Sequence, residues 1–568
     1  MIRKQVFLEE NKWMYFFITL AVLVNFSGLF VILIDPDANV YAALSKNMVL
    51  QHNYIELYLR GTDWLDKPHF QFWVTAISFK IFGIHTWSYK LPAILFVLMG
   101  ARYTYLFAKE QYDKEIALWA VFIFLTTEHI ILSNNDVRAE PYLTGLIIAS
   151  IYHFSNTIRS LFINKIWWHL IAACFFAACA VMTKGIFTLI SIAGSVAGEL
   201  LIKRNWKMLL NWRWFVSALL ITLFITPELY SLWYQFDRHP EKIIFEISGV
   251  SGIRFFLWDS QFGRFLNTGP IKGRGDIFFF LHTLLWAFIP WSVIMYIALF
   301  NKIRSGLRNA NTDVKPGEWY TLSGSILTLI VFSLSRFQLP YYTNIIFPFL
   351  AILSARYISE ALKTTTAFLR ILFNSITILL FAFCIAVQLF YEPAPPFWIL
   401  LIIVGALIIL LIGMPWLSNA SSSKKINKNT IALLRAGLST IILNLYLNWF
   451  FYPDLLQYQS GNEAAFYKNK NYPGVPGVVL NSYAPSFEFY LTDTFIKADS
   501  INSSNPLKTA AGIWYVSEEE LLSINKSGRP YELLKEIPHF HVSILSWQFF
   551  NKKTRKDALK KYFLIRMM

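Results

Sequence analysis

Apolar stretches of membrane-spanning length recur almost throughout this chain, and they limit its fold more than any other feature. About 30 Å of hydrocarbon needs roughly 20 helical residues. Thirteen runs approach or reach that length: 13–34, 91–108, 115–133, 139–158, 166–183, 185–202, 213–234, 277–300, 318–335, 340–359, 367–390, 396–416 and 430–451. A chain that is 55% hydrophobic and 15% charged, with mean hydropathy +0.44, is too apolar for a soluble domain. Backbone in lipid must bond to itself, so such runs predict an α-helical polytopic membrane protein of about 13 transmembrane helices.

The formal net charge of +16 could point to nucleic acid, but its placement points to topology. Lysine and arginine fill 109–114, 159–165, 203–213, 301–315 and 424–428, together with Arg3, Lys4 and Lys12. The positive-inside rule puts these segments in the cytoplasm, facing anionic lipid. They alternate correctly only if a fourteenth stretch, 69–84, adds no crossing. It is short, contains Gln71 and Lys80, and is expected to lie along the interface or to merge with 91–108. The N-terminus is then inside and the C-terminus outside. The opening MIRKQVFLEENKW shows no small-residue cleavage site, so the first span reads as a retained helix. Cys174, Cys179 and Cys384 all lie in apolar runs, which supports neither a disulfide framework nor a thiolate metal site.

This topology collects the remaining charged loops on the outer side: 35–68, 134–140, Lys184, 236–276 and 336–342. Charges at membrane depth are costly and usually functional. The loop 35–68 carries Asp35, Asp37, Asp63 and Asp66, with Lys67 beside Pro68, and reads as the front wall of a site for an anionic, membrane-borne substrate. Residues 1–451 form the membrane domain, with outer loops 35–68 and 236–276. From 452 to 568 the chain turns polar, with β-rich runs at 477–481, 512–517 and 541–547 and helical patterns at Pro485–Leu491 and Glu518–Ile524. That predicts a small accessory α/β domain on the outer side.

Walker, G-x-S-x-G and H-E-x-x-H motifs are absent, which weighs against an ATP-driven pump, a serine hydrolase and a zincin. Carboxylate and basic chemistry remains. Asp37 can take a proton from an acceptor, while Lys67, Lys184 and Arg336 can bind a phosphate and stabilise charge on its departure. That equipment suits single-displacement sugar transfer from a lipid phosphate, with inversion at the anomeric carbon. Asp66, Asp136 and Glu140 either hold a divalent metal ion through oxygen ligands or order the basic side chains.

The order of short motifs is that of a known group. Asp37 and Tyr41 follow the first span, then come GTDWLDKPHFQFW (61–73), FG (82–83), KLP (90–92), NNDVRAEPY (134–142), VMTKG (181–185) and FSLSRFQLPYY (332–342). In this the chain resembles the GT-C superfamily of polytopic glycosyltransferases, in particular the bacterial lipid A aminoarabinose transferases and, more distantly, the protein O-mannosyltransferases. The likeness in motifs covers about residues 10–360. It implies a GT-C fold, a polyprenyl-phosphate-sugar donor, a bacterial inner-membrane location with a periplasmic C-terminal domain, and a lipid, glycan or protein acceptor. It also implies that Asp37 is the catalytic acid residue and Asp136 a substrate or metal contact. Lys67, after Asp66, and Arg336, with Tyr341 or Tyr342, then lie near the donor phosphate. Arg138, Glu140 and Arg264 fall in supporting positions. Two departures stand out. Ala38 replaces a second loop acid, for which Asp35 is the candidate substitute, and His69 replaces a proline. Competing readings are a transporter or flippase of lipid-linked saccharides, which predicts paired repeats and broken midplane helices, a polymerase using a pyrophosphate-linked donor, and an inactive scaffold.

Overall fold

The computed structural model describes residues 12–160, 162–268, 272–308, 317–363, 367–393, 397–414, 427–498 and 512–568. Among them, five helices are long and apolar enough to cross a bilayer unaided: Thr86–Gln111, Ile163–Lys184, Trp206–Phe224, Ala367–Tyr391 and Lys428–Tyr458. Their surroundings differ. The most apolar part of Lys428–Tyr458 is 83% buried, whereas that of Trp206–Phe224 is 6% buried. The first runs through the helical body; the second turns its apolar side chains outward, as a lipid-facing helix does.

The other apolar runs are shorter or broken. Lys114–Leu125 and Glu128–Asn135 form a pair bent by 49°. The run 277–300 divides at Pro290 into Phe279–Ala287 and Ser292–Arg308. The run 13–34 departs most from expectation, because its helix, Lys12–Asn25, stops early. The Asn25 side-chain amide donates to the Ala21 carbonyl at 2.6 Å and to the Leu125 carbonyl at 3.1 Å. Beyond it the chain turns, and the fully buried Lys90 donates to the carbonyls of Gly28 at 3.0 Å and Val31 at 2.6 Å. Irregular backbone is tolerated at membrane depth only where protein groups satisfy it, and Lys90 does so here. The stretch 69–84 yields Phe70–Phe82, a 13-residue helix separated from Thr86–Gln111 by Gly83. It rises about 20 Å, short of the bilayer core.

The C-terminal segment holds a five-stranded mixed sheet of β1 (Gly477–Val479), β2 (Phe495–Lys497), β3 (Ile513–Ser517), β4 (Tyr531–His539) and β5 (Lys560–Met567). The strand order is β2-β1-β3-β5-β4, with β1 parallel to β2 and β3, and β5 antiparallel to β3 and β4. Helices Pro485–Tyr490 and Glu518–Lys526 accompany it, the latter opened by a capping box between Ser517 and Glu520. The expected strand at 541–547 is instead a turn leading into the short helix Trp547–Phe550. Its apolar residues answer to a different core: Val542 and Phe549 pack with Leu455 and Leu456 at the end of the last membrane helix.

Candidate active site

The charged loops meet where several helix ends converge. Asp37 opens the helix Asp37–Leu50, where the helix dipole favours a carboxylate. Glu140 likewise opens Glu140–Arg159, and Lys184 closes Ile163–Lys184, where a cation is favoured. Lys184 and Glu140 are paired, so the ion pair joins two helix ends of complementary sign. The chain leaves Lys184 through Gly185, at φ +107° and ψ −179°, a region nearly restricted to glycine. A Cβ there would meet the Gln261 side chain at 2.2 Å. That close approach lets Gln261 donate to the Lys184 carbonyl at 3.1 Å.

Two charged groupings result. In the first, Arg138 donates to Asp37 Oδ2 at 2.6 Å and to Asp136 Oδ2 at 3.0 Å, and Tyr341 donates to the same Asp136 oxygen at 2.6 Å. The Arg138 guanidinium also stacks over the Tyr341 ring, 4.3 Å from its centre. In the second, Asp66 accepts from Lys67 at 3.0 Å and from Arg264, while Lys184 lies 3.4 Å from the centre of the Tyr342 ring. Lys67, Lys184 and Arg264 line one pocket with Asp66, walled by Phe187, Phe337 and other apolar groups. Arg264 Nε is buried with no partner among the described residues, so a donor remains for an anion.

The Asp37 side chain is 37% exposed, against 6% for Asp136, which makes Asp37 the more accessible carboxylate of its grouping. Burial nonetheless raises its proton affinity above the ordinary carboxylate value, against an opposing pull from Arg138. Burial acts the same way on Asp66, but Lys67 and Arg264 together outweigh it and hold that carboxyl below its usual range. Arg138 is held more firmly protonated: burial opposes its charge, and Asp136, Tyr341 and Asp37 more than compensate.

Among the residues singled out from sequence, Asp37, Asp136, Arg138 and Tyr341 form the first grouping, and Asp66, Lys67, Glu140, Lys184, Arg264 and Tyr342 the second. Tyr41 is buried behind them, edge-on to Trp64 and Phe72. Two expectations need correction. Arg336 joins neither grouping: its residue is exposed, and Arg264 supplies the third cation in the pocket. Asp35 does not stand in for a second loop acid, because its carboxylate turns to Ser486 and Asn39. Ala38 is fully buried, where an added carboxylate would lose its hydration.

His69, in place of the second proline, is buried and accepts or donates at both ring nitrogens. Nδ1 lies 3.0 Å from Glu228 Oε1 and Nε2 lies 3.0 Å from the Ile55 carbonyl. The His69–Glu228 pair, which sequence reasoning passed over, thus anchors the Lys67-Pro68 step. Asp66 and Asp136 fit poorly as a shared metal site. Lys67 and Arg264 occupy both oxygens of Asp66, Arg138 and Tyr341 hold Oδ2 of Asp136 while its Oδ1 has no partner, and no three His, Cys, Asp or Glu side chains gather as a ligand set among the described residues.

The described helices build a polytopic α-helical fold with spans apolar enough for a membrane, and solved structures share that fold. The crystal structure of ArnT from Cupriavidus metallidurans bound to undecaprenyl phosphate superposes with a TM-score of 0.73 at 16% identity, covering 98% of each chain. The oligosaccharyltransferase of Archaeoglobus fulgidus aligns at a TM-score of 0.50 and 13% identity, over 86% of this chain and 65% of its own. Residues 66–231 match the family described as dolichyl-phosphate-mannose-protein mannosyltransferase. In sequence the chain resembles the undecaprenyl phosphate-alpha-4-amino-4-deoxy-L-arabinose arabinosyl transferase of Enterobacter sp. (strain 638), at 23% identity over 61% of this chain and 60% of the relative. It also resembles an uncharacterised protein of Aquifex aeolicus (strain VF5), at 25% identity over 58% and 60%. The matches span about three-fifths of the length of these curated relatives.

Proposed function

We propose that this chain is a glycosyltransferase that moves a sugar from a polyprenyl-phosphate donor to a lipid, glycan or protein acceptor on the periplasmic face of a bacterial inner membrane. The observation that carries this reading is the partly exposed carboxylate of Asp37 beside a pocket lined by three cations and the Asp66 carboxylate, with Glu140 paired to Lys184. In this reading the donor phosphate lies between Lys67, Lys184 and Arg264, with Tyr342 under the Lys184 ammonium. The acceptor hydroxyl approaches the anomeric carbon from the side of Asp37, which takes its proton. The bond from the anomeric carbon to the phosphate oxygen breaks, and that oxygen leaves with the electron pair. Single displacement inverts the anomeric centre. The leaving phosphate gains charge where the cations are fixed, which lowers the barrier without reorganisation.

Arg138 neutralises Asp136 and steadies Asp37, so the mechanism routes no step through a metal ion. The topology belongs to the same proposal: thirteen crossings, N-terminus in the cytoplasm and C-terminal domain in the periplasm. The arrangement of basic segments supports it. The test is mass spectrometry of lipids that co-purify with the protein in mild detergent. A polyprenyl monophosphate, bare or carrying one sugar, is expected; a pyrophosphate-linked oligosaccharide in its place would contradict the reading.

A further inference from the structure

The C-terminal segment grips the backbone just before Asp37 and the helix that Asp37 begins. All three polar groups of Asp35 bond to it. The amide donates to Gln459 Oε1 at 2.8 Å, the carbonyl accepts from Ser543 Oγ at 2.6 Å, and carboxylate Oδ2 accepts from Ser486 Oγ at 2.6 Å. Gln459 also donates to the Leu33 carbonyl at 3.0 Å, and the Leu33 amide donates to the Tyr490 hydroxyl at 2.8 Å. Further along the same helix, Lys46 is buried and donates to the carbonyls of Glu488, Phe489 and Leu491 at 2.9, 3.0 and 2.6 Å. These carbonyls lie at the C-terminal end of Pro485–Tyr490, where a helix leaves its acceptors unpaired and its dipole favours a cation. Asn47 adds a bond to the Glu488 carboxylate at 3.3 Å.

We propose that the C-terminal domain positions the Asp37 carboxylate, with Asp35 and Lys46 as the two pins through which it holds the helix Asp37–Leu50. Neither pin belongs to the two groupings around the pocket, so both act through that helix as positioning residues. The inference rests on Asp37 being the base proposed above. Displacements near 1 Å from reacting geometry cost on the order of a hundredfold in rate, so loosening a pin should slow turnover without emptying the donor site.

The test uses the full-length protein in lipid nanodiscs. Membrane extract from a deletion strain of the source organism supplies donor and acceptor, and undecaprenyl phosphate is the probe of the donor site. Ser486→Ala removes one hydroxyl, and Lys46→Met removes one ammonium. Maximal turnover is expected to fall at least tenfold in each, while the half-saturating extract concentration and undecaprenyl phosphate affinity stay within twofold of wild type. Unchanged turnover in Ser486→Ala would overturn the proposal, and that variant decides alone if Lys46→Met does not fold. Loss of turnover matched by an equal loss of undecaprenyl phosphate affinity would also overturn it. Asp37→Asn is run alongside: turnover surviving there defeats the reading of Asp37 itself, whereas an inactive Asp37→Asn beside fully active pin variants defeats only the positioning role.

Discussion

Asp35 and Asp37 stand two residues apart and are raised in proton affinity by the same burial, with opposite consequences. Asp35 is lifted from 3.8 to about 6, and the hydrogen bonds from Ser486 and Asn39 only partly offset the burial. A raised folded value means that the folded state favours the protonated form. The resulting stabilisation is complete below the ordinary value and is lost as pH rises through about 6. At neutral pH the charge therefore costs stability, at most about 3 kcal/mol from this shift, and less because the side chain retains some exposure. Asparagine can keep the Asn39 and Ser486 side-chain contacts if the Ser486 hydroxyl turns round, while the Ser486 backbone N–H loses its carboxylate acceptor. Asp35→Asn is thus expected to raise the thermal midpoint at pH 7.5, with the gain vanishing below pH 4; a lower midpoint at pH 7.5 would contradict this. For Asp37, Arg138 is the group that opposes the rise. Arg138→Gln removes that pull, so the acid limb of the turnover profile should move to higher pH. An unmoved limb would mean that the pair does not govern the base.

At the scale of elements, an apolar run marked neither burial nor helicity by itself: Trp206–Phe224 is apolar and 6% buried, Lys428–Tyr458 apolar and 83% buried. The run 13–34 is largely apolar, yet its second half is irregular, with Lys90 satisfying the Gly28 and Val31 carbonyls. A buried lysine bonded to carbonyls has no sequence signature, and Lys46 was hidden for the same reason. The apolar residues of 541–547 were read as a strand because hydropathy does not say which core they enter; the C-terminal sheet recruits 531–539 and 560–567 instead. Lys184 stood out in the sequence as a lysine expected to meet a phosphate; the side chain that faces it is the Glu140 carboxylate, a pairing the sequence did not announce. Gly185 makes a prediction at this scale. Alanine would suffer both the backbone conformation, at about 1–3 kcal/mol, and the Gln261 contact at 2.2 Å. Gly185→Ala is expected to weaken undecaprenyl phosphate binding about tenfold or more by moving Lys184; wild-type affinity in a folded variant would contradict that.

Across the whole molecule, sequence order alone brought together Asp37, Asp66, Lys67, Asp136, Glu140 and Lys184, because charge at membrane depth is rare enough to mark a site. It placed Arg336 with them and gave Arg264 a lesser role. Both are arginines in loops between helices, and only the packing of those loops decides which one turns inward. In the proposed mechanism one end of the helical body is a donor-phosphate pocket with a carboxylate base beside it, held in register by the C-terminal domain. Asp37→Asn tests this most directly, with sugar transfer and undecaprenyl phosphate binding measured on the same full-length preparation. The account predicts transfer reduced at least a thousandfold, on the order of the contribution of a general base with its ion-pair partner, while binding stays within a few-fold of wild type. Transfer at the wild-type rate would contradict it.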